Sequence, residues 1–237
     1  MKPAVLFDLG NTLVAYYRTD QFQPILSAAI ADIQAELANR GLSRVAFDEA
    51  LARASAENRE AADYRFGPMS QRFERIFGIS LTNDTALARE LCEIFLEPIF
   101  AIGRVYEDSF PMLARLSSAG FPLAIVSNAP WGSPPELWRG EIERLGLATA
   151  VDEVVLCGDV GWRKPARAIF EHAAAALGRR CEDCVFVGDD LRWDVAGSEA
   201  AGMRPILIDR GRRAPSHQGE RIESLNQLFE IMETGAR

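Results

Sequence analysis

Histidine is almost missing from this chain of 237 residues: only His172 and His217 occur. Cysteine is also scarce, with four in all, and only Cys181 and Cys184 stand close together. A redox pair or half a zinc site is conceivable there, but no second pair completes a metal centre. The string Cys181-Glu182-Asp183-Cys184 therefore reads as two reduced thiols around a loop that precedes a strand, and no disulfide framework is expected. His172 falls within a helical pattern and His217 in a polar segment near the C-terminus, so neither is a candidate for the chemistry. Excess positive charge is lacking as well. The 26 Lys and Arg against 34 Asp and Glu leave a formal net charge of -8, which argues against a nucleic-acid partner. An anionic ligand would have to be attracted locally, by a metal or a lysine, rather than by the field of the whole protein. No run approaches the ~20 apolar residues that span a bilayer. The N-terminus has no leader pattern, so the cytoplasm is the expected location.

What is present describes a soluble globule with a real core: 48% of residues are apolar and 25% charged. Five short apolar runs read as strands, at 3–7, 122–126, 152–156, 184–187 and 205–208. They lack strict alternation, the pattern of parallel strands covered on both faces. Helical segments separate them. Pro111 to Ala119 stops at Gly120, Pro165 to Leu177 at Gly178, and Asp194 to Ala201 at Gly202, each glycine a natural C-terminal stop. A last helix is expected over roughly 221–233. Strands alternating with helices indicate a doubly wound α/β domain. More than a hundred residues separate the first two strands, too many for a crossover or a structureless loop. That stretch reads as helical, with segments Ile25 to Arg40, Phe47 to Tyr64, Ser70 to Phe77 and Asn83 to Phe100. Trp131-Gly132-Ser133-Pro134-Pro135 reads as a wide loop. No helix shows an unambiguous exposed apolar seam, so both a monomer and a homodimer are compatible with the sequence.

Chemistry-bearing residues gather where strands stop. Val5-Leu6-Phe7 runs into Asp8-Leu9-Gly10-Asn11-Thr12, Leu123-Ala124-Ile125-Val126 into Ser127-Asn128, and Val185-Phe186-Val187 into Gly188-Asp189-Asp190, with Asp194 shortly after. Lys164-Pro165 adds an ammonium group. Open α/β sheets bind ligands at the carboxyl ends of their strands. Carboxylates, a hydroxyl and a lysine collected there describe a magnesium site for phosphoryl chemistry. Several anions beside a phosphate would repel it strongly, and a divalent cation held by oxygen ligands removes that conflict.

This set of motifs, in this order over nearly the whole chain, resembles the haloacid dehalogenase-like hydrolase superfamily. The resemblance implies a Rossmann-like parallel-sheet core over residues 1–16 and 102–237, with an inserted helical cap subdomain over 17–101 that closes over the active site from junctions near those boundaries. It implies that Asp8 is the nucleophile and becomes an aspartyl phosphate. It implies Mg2+ held by Asp8, the carbonyl of Gly10 and Asp189, with Asp194, and Asp190 beside it, supporting the metal shell. Ser127, the Asn128 N–H and Lys164 would bind phosphoryl oxygens of a small phosphorylated metabolite. Arg163 reads as a surface charge. Tyr16, Tyr17, Arg18, Arg65 and Arg72 are within the stretch from which such caps reach the substrate, although solvated or packing roles are commoner for such residues.

One position departs from the pattern. Phosphatases of the family carry Asp-x-Asp at the first motif, and the second Asp protonates the leaving oxygen. Here Gly10 stands instead. Three outcomes are open: a phosphatase with another proton source or a good leaving group, a 2-haloacid dehalogenase, or a degenerate protein that only binds a phosphorylated ligand. Family dehalogenases also lack that Asp, but they change the Gly-Asp of the last motif, which Gly188-Asp189 retains.

Overall fold

The structure is a computed structural model that describes residues 2–58 and 61–234. In chain order its strands are β1 (Ala4–Phe7), β2 (Val14–Ala15), β3 (Arg104–Val105), β4 (Leu123–Ser127), β5 (Glu153–Leu156), β6 (Cys184–Gly188), β7 (Arg204–Ile208) and β8 (Arg221–Ile222). Six of them form one sheet in the order β5-β4-β1-β6-β7-β8, parallel throughout. Every residue of β1, β4 and β6 is buried, which is why these strands read as unbroken apolar runs. β1 lies between β4 and β6, with Phe7 in register with Ile125 on one side and Val187 on the other. The chain winds outward from β1 first through β4 and β5, then through β6, β7 and β8. The strand order therefore reverses at β1, and the carboxyl ends of the three central strands open onto one crevice.

Four helices lie between β2 and β3: α1 (Phe22–Asn39), α2 (Phe47–Glu57), α3 (Met69–Phe77) and α4 (Thr85–Ile102). In α1 the buried residues Leu26, Ala29, Ile30, Ile33 and Leu37 make one stripe, which packs on α2 and α4. Asp84 caps α4, its side chain accepting the Leu87 N–H at 2.9 Å. The chain leaves and re-enters through an antiparallel pair, Val14 opposite Val105 and Ala15 opposite Arg104. The remaining helices are α5 (Ser109–Ser118), α6 (Pro135–Arg144), α7 (Cys157–Val160), α8 (Arg167–Ala176), α9 (Gly197–Ala201) and α10 (Leu228–Thr234).

Two core loops run into the helical insertion. After β4, Trp131 is buried, stacks on Phe95 of α4 at 5.0 Å and donates Nε1–H to Asn58 Oδ1 at 2.9 Å. Gly132 follows with φ 71°, and a Cβ there would stand 1.7 Å from the Gly67 carbonyl oxygen. After α7, the Phe66 N–H donates to the Gly161 carbonyl and the Arg163 N–H to the Tyr64 carbonyl, each at 2.9 Å. These loops seat the insertion on the crevice.

Several elements differ from expectation. The last helix does not begin near 221. Arg221 and Ile222 instead form β8 beside Leu207 and Ile208, and α10 starts only at Leu228. A two-residue strand carries no periodicity of its own; ion pairs of Arg204 with Glu220 (2.6 Å) and Arg221 with Asp209 (3.1 Å) hold it there. The helix expected over Phe47 to Tyr64 ends at Glu57; residues 59 and 60 of that span lie outside the described residues, and Ala61–Tyr64 is a turn. The loop expected over Trp131–Pro135 is a tight turn that leads directly into α6, a helix with Pro135 at its start.

A paired substitution separates backbone strain from contact. Gly132 and Gly178 both have positive φ, but a Cβ at Gly178 meets nothing within 4 Å. Urea unfolding should show Gly178→Ala destabilised by about 1 kcal/mol and Gly132→Ala by clearly more. Equal losses would mean that the Gly67–Gly132 approach does not constrain the fold.

Candidate active site

β1 ends at Phe7, and the Asp8 N–H donates to the Val187 carbonyl at 2.9 Å, tying the start of the first motif to β6. Beyond it the backbone makes a compact loop: the Leu13 and Val14 N–H groups return to the Leu9 carbonyl, and Asn11 adopts φ 58°. Asp8, Asp189 and Asp194 each place a carboxylate oxygen within 4.8 Å of the others. Lys164 Nζ bonds to Asp8 Oδ1 at 2.5 Å and to Asp194 Oδ1 at 2.6 Å. The lysine is only 2% exposed.

Local structure explains how each group arrives. Asn128, directly after β4, clamps the backbone of Lys164: its Oδ1 accepts the Lys164 N–H at 2.8 Å and its Nδ2–H donates to the Lys164 carbonyl at 3.1 Å. The Lys164–Pro165 peptide is cis. Asp190 turns away and caps the next segment, Oδ1 accepting the N–H groups of Arg192 and Trp193 at 2.8 and 2.7 Å. That segment, Leu191–Ala196, is a turn of π-helix, and it carries Asp194 back over β6. The Asp190 N–H then donates to Asp194 Oδ2 at 3.1 Å. A Cβ on Gly188 would lie 2.4 Å from the Asp194 carboxylate, so only glycine lets that side chain lie against the strand end.

Electrostatics follow from burial. Burial pulls the Lys164 ammonium down, but the charges and hydrogen bonds of Asp194 and Asp8 outweigh it and hold the group above its ordinary value. Burial, with Asp8 and Asp194 adding to it, pushes the Asp189 carboxyl up to about 8. Burial also raises Asp194, against the pull of Lys164. Three carboxyl groups meet the Lys164 ammonium, with the Arg213 guanidinium 3.5 Å from Asp189 Oδ2, and together they make a pocket rich in oxygen donors. That donor set suits a hard divalent cation such as Mg2+. Asp8 and Asp189 are the side chains that could hold such an ion. Both oxygens of Asp194 already accept protein donors, which suits a supporting position.

The other sequence candidates are placed as follows. Ser127 ends β4, is 7% exposed, and makes only a long 3.5 Å contact to the Asn128 carbonyl. A Cβ on Gly10 would meet Tyr16 Cδ2 at 3.8 Å, an ordinary contact, so Tyr16 borders that position. Burial, with Glu141 adding to it, keeps the Tyr16 phenol neutral. Tyr17 packs on Phe22, and Arg18 is exposed and paired with Asp20. Arg163, expected as a surface charge, is half-buried and lines a cavity together with Arg65 and Arg72. Sequence reading missed the Asn128 side-chain clamp and the steric demand at Gly188. An Asn after an apolar strand gives no sign that its amide will span two loops.

A family model described as a haloacid dehalogenase-like hydrolase matches residues 2–202. A ribulose-1,5-bisphosphate 5-phosphatase from Halopiger xanaduensis is 30% identical, covering 96% of this chain and 91% of that protein. A phosphoserine phosphatase from Thermus thermophilus is 31% identical over 76% of this chain and 72% of that protein. Among solved structures, a HAD phosphatase from Thermococcus onnurineus has a TM-score of 0.69 at 28% identity, covering 98% of both chains. A 2-haloacid dehalogenase from Pseudomonas syringae pv. Tomato has a TM-score of 0.73 at 25% identity, covering 100% of both.

The raised Asp189 pKa has a sign that can be tested. The folded, metal-free chain keeps a proton that the unfolded chain releases near 3.8, so stability falls as pH rises from about 4 towards 8 and levels off above. With chelator present, Tm should drop from pH 5 to pH 8, and Asp189→Asn should flatten that drop. Magnesium should raise Tm more at pH 8 than at pH 6, because it competes with the proton. A larger effect at pH 6 would contradict the assignment of Asp189 as a ligand.

Proposed function

The chain belongs to the haloacid dehalogenase-like hydrolase family, and we propose that it is a magnesium-dependent phosphomonoesterase acting on a small phosphorylated metabolite in the cytoplasm. The observation that carries this reading is the buried meeting of Asp8, Asp189, Asp194 and Lys164 at the strand ends. The related phosphatases support the reaction class.

In this reading Lys164 holds one oxygen of Asp8, which orients the other for in-line attack on phosphorus. The attack gives an aspartyl phosphate and divides one hard displacement into two. The Lys164 ammonium, Ser127 hydroxyl and Asn128 N–H face phosphoryl oxygens. A bound magnesium ion would supply the charge that lets an anionic ester approach this pocket. Asp194 and the Asn128 side chain act through Lys164, fixing its two ends. The helical insertion over 17–101 acts as a cap that excludes water during the first step.

Gly10 limits the leaving group. A Cβ at position 10 makes only one ordinary contact, so the first carbon of a side chain is not what packing excludes there. Without an acid at that position, the enzyme favours phosphoryl donors whose leaving group departs with little protonation, such as the phenolate of an aryl phosphate, the carboxylate of an acyl phosphate or the anomeric oxygen of a glycosyl phosphate. The same glycine and the similarity to a 2-haloacid dehalogenase favour a second reading, halide release from 2-haloacids. The retained trio of clustered carboxylates counts against it, because a halide departs without a proton or a metal and a 2-haloacid is itself an anion.

Phosphate release from a panel of phosphoesters should require magnesium and vanish with chelator. Release that survives chelation would refute the metal assignment, and chloride release from 2-chloropropionate would favour the second reading. Asp8→Asn should lower turnover below about a thousandth of wild type while the circular dichroism spectrum stays unchanged. In Gly10→Asp, added proton transfer, typically worth about 10²–10⁴-fold, should speed alkyl phosphates more than aryl phosphates. Equal gains would mean that leaving-group protonation does not limit the reaction.

A further inference from the structure

The carboxylate cluster touches a second cation besides Lys164. Arg213 Nη2 lies 3.5 Å from Asp189 Oδ2. The two basic groups are held very differently. The Lys164 side chain is 2% exposed and pairs with Asp8 and Asp194 at 2.5 and 2.6 Å, whereas the Arg213 side chain is 64% exposed and its contact is longer. Lys164 is a fixed part of the fold. An exposed pair such as Arg213 with Asp189 stabilises a fold little, so it exchanges readily for another partner.

Local structure directs Arg213 to the cluster. β7 runs beside β6 with Leu207 in register with Gly188, so the loop after β7 leaves the sheet next to Asp189. Asp209, 5% exposed, fixes that loop. Its Oδ1 accepts the Arg213 N–H at 2.7 Å, its Oδ2 accepts the Ala214 N–H at 3.0 Å, and Arg221 pairs with it at 3.1 Å. The loop carries three arginines. Arg210 is bonded to Asp108 and to the Thr12 carbonyl, and Arg212 to Glu223. Arg213 reaches the carboxylates instead. A Cβ on Gly211 would stand 3.4 Å from Arg213 Cγ and Nε, so the arginine folds back over that glycine on its way.

Asp189 is thus shared. One of its oxygens lies within 4.8 Å of an oxygen of Asp8 and of Asp194, and Oδ2 faces the guanidinium. A divalent cation on Asp8 and Asp189 would have a positive charge set against one of its own ligands. Like charges a few ångströms apart repel, and a carboxylate that is already paired gains less from a new cation. We propose that Arg213 competes with the divalent cation for Asp189, so that this guanidinium sets how tightly the carboxylate cluster holds its ion. The proposal rests on the magnesium assignment made above and adds the residue that tunes it.

The test is metal affinity, which does not depend on turnover. Mg2+ is titrated calorimetrically into wild type, Arg213→Gln, Arg213→Lys and Arg212→Gln at pH 9, above the value of about 8 for Asp189, so that protons do not contend for the site. Arg213→Gln should bind Mg2+ about three- to tenfold more tightly than wild type. Arg213→Lys keeps the charge, and Arg212→Gln removes one from the same loop but not from Asp189; both should stay within about twofold of wild type. The gain in Arg213→Gln should narrow between about 0.1 and about 1 M NaCl, because an exposed charge is screened. Equal or weaker binding by folded Arg213→Gln overturns the proposal and leaves the metal assignment standing. A gain that salt does not change, or that Arg213→Lys shares, also overturns it, since the shape of the loop and not its charge would then be at work. If none of the four chains binds Mg2+, the metal assignment itself fails and takes the proposal with it.

Discussion

The bonds from one buried ammonium to two carboxylates hold the carboxyl ends of the central strands together. Lys164 bridges Asp8 at the end of β1 and Asp194 on the π-helical turn after β6, while its own backbone is clamped by Asn128 at the end of β4. Three strand ends are thus tied through one residue, two by its ammonium and one by its backbone. Removing one partner of such a buried pair leaves an uncompensated charge, at a cost of about 3–5 kcal/mol. Acids outnumber bases in the cluster: three carboxylates meet the Lys164 ammonium, with the Arg213 guanidinium 3.5 Å from Asp189, and burial drives Asp189 up to about 8. The pocket is therefore held together by its ion pairs and rich in oxygen donors that suit a divalent cation in place of the retained protons.

The core strands were legible because burial on both faces leaves its trace in uninterrupted apolar runs, and the carboxylates were legible because they sit where those runs stop. β1 and β6 with Asp8 and Asp189 are the clear cases. β8 was not, since its two residues are placed by pairing with β7 and not by their own pattern. The buried, stacked Trp131 was read as a loop residue, because a tight turn with φ 56° looks the same in sequence as an open one. Lys164 carried an additional signal in composition. Of the 26 basic residues only Lys2 and Lys164 are lysines. Where a chain uses arginine almost everywhere, a lysine marks a place that needs a compact ammonium, here one small enough to sit between two carboxylates in a closed space.

Gly10 and Gly188 show that two glycines in one site can be there for opposite reasons. At Gly188 a side chain would collide with Asp194, so packing dictates the residue. At Gly10 the space is open and Tyr16 merely borders it. Gly188 preserves the geometry of the charged cluster, and Gly10 leaves the loop after β1 without a carboxyl at that position. Similarity to both phosphatases and a 2-haloacid dehalogenase is what such a combination would produce, since the scaffold is common to both and the difference lies in a few side chains at the strand ends.

The short ribbon formed by β2 and β3 brings Ala15 opposite Arg104. Directly opposed residues of an antiparallel pair lie about 4.5–5.5 Å apart. A spacer of a few residues could therefore splice the two sides, leaving the sheet and its charged cluster continuous without the intervening helices. Such a seam lets the helical segment be exchanged as a cassette while the carboxylates and the ammonium at the strand ends stay where they are.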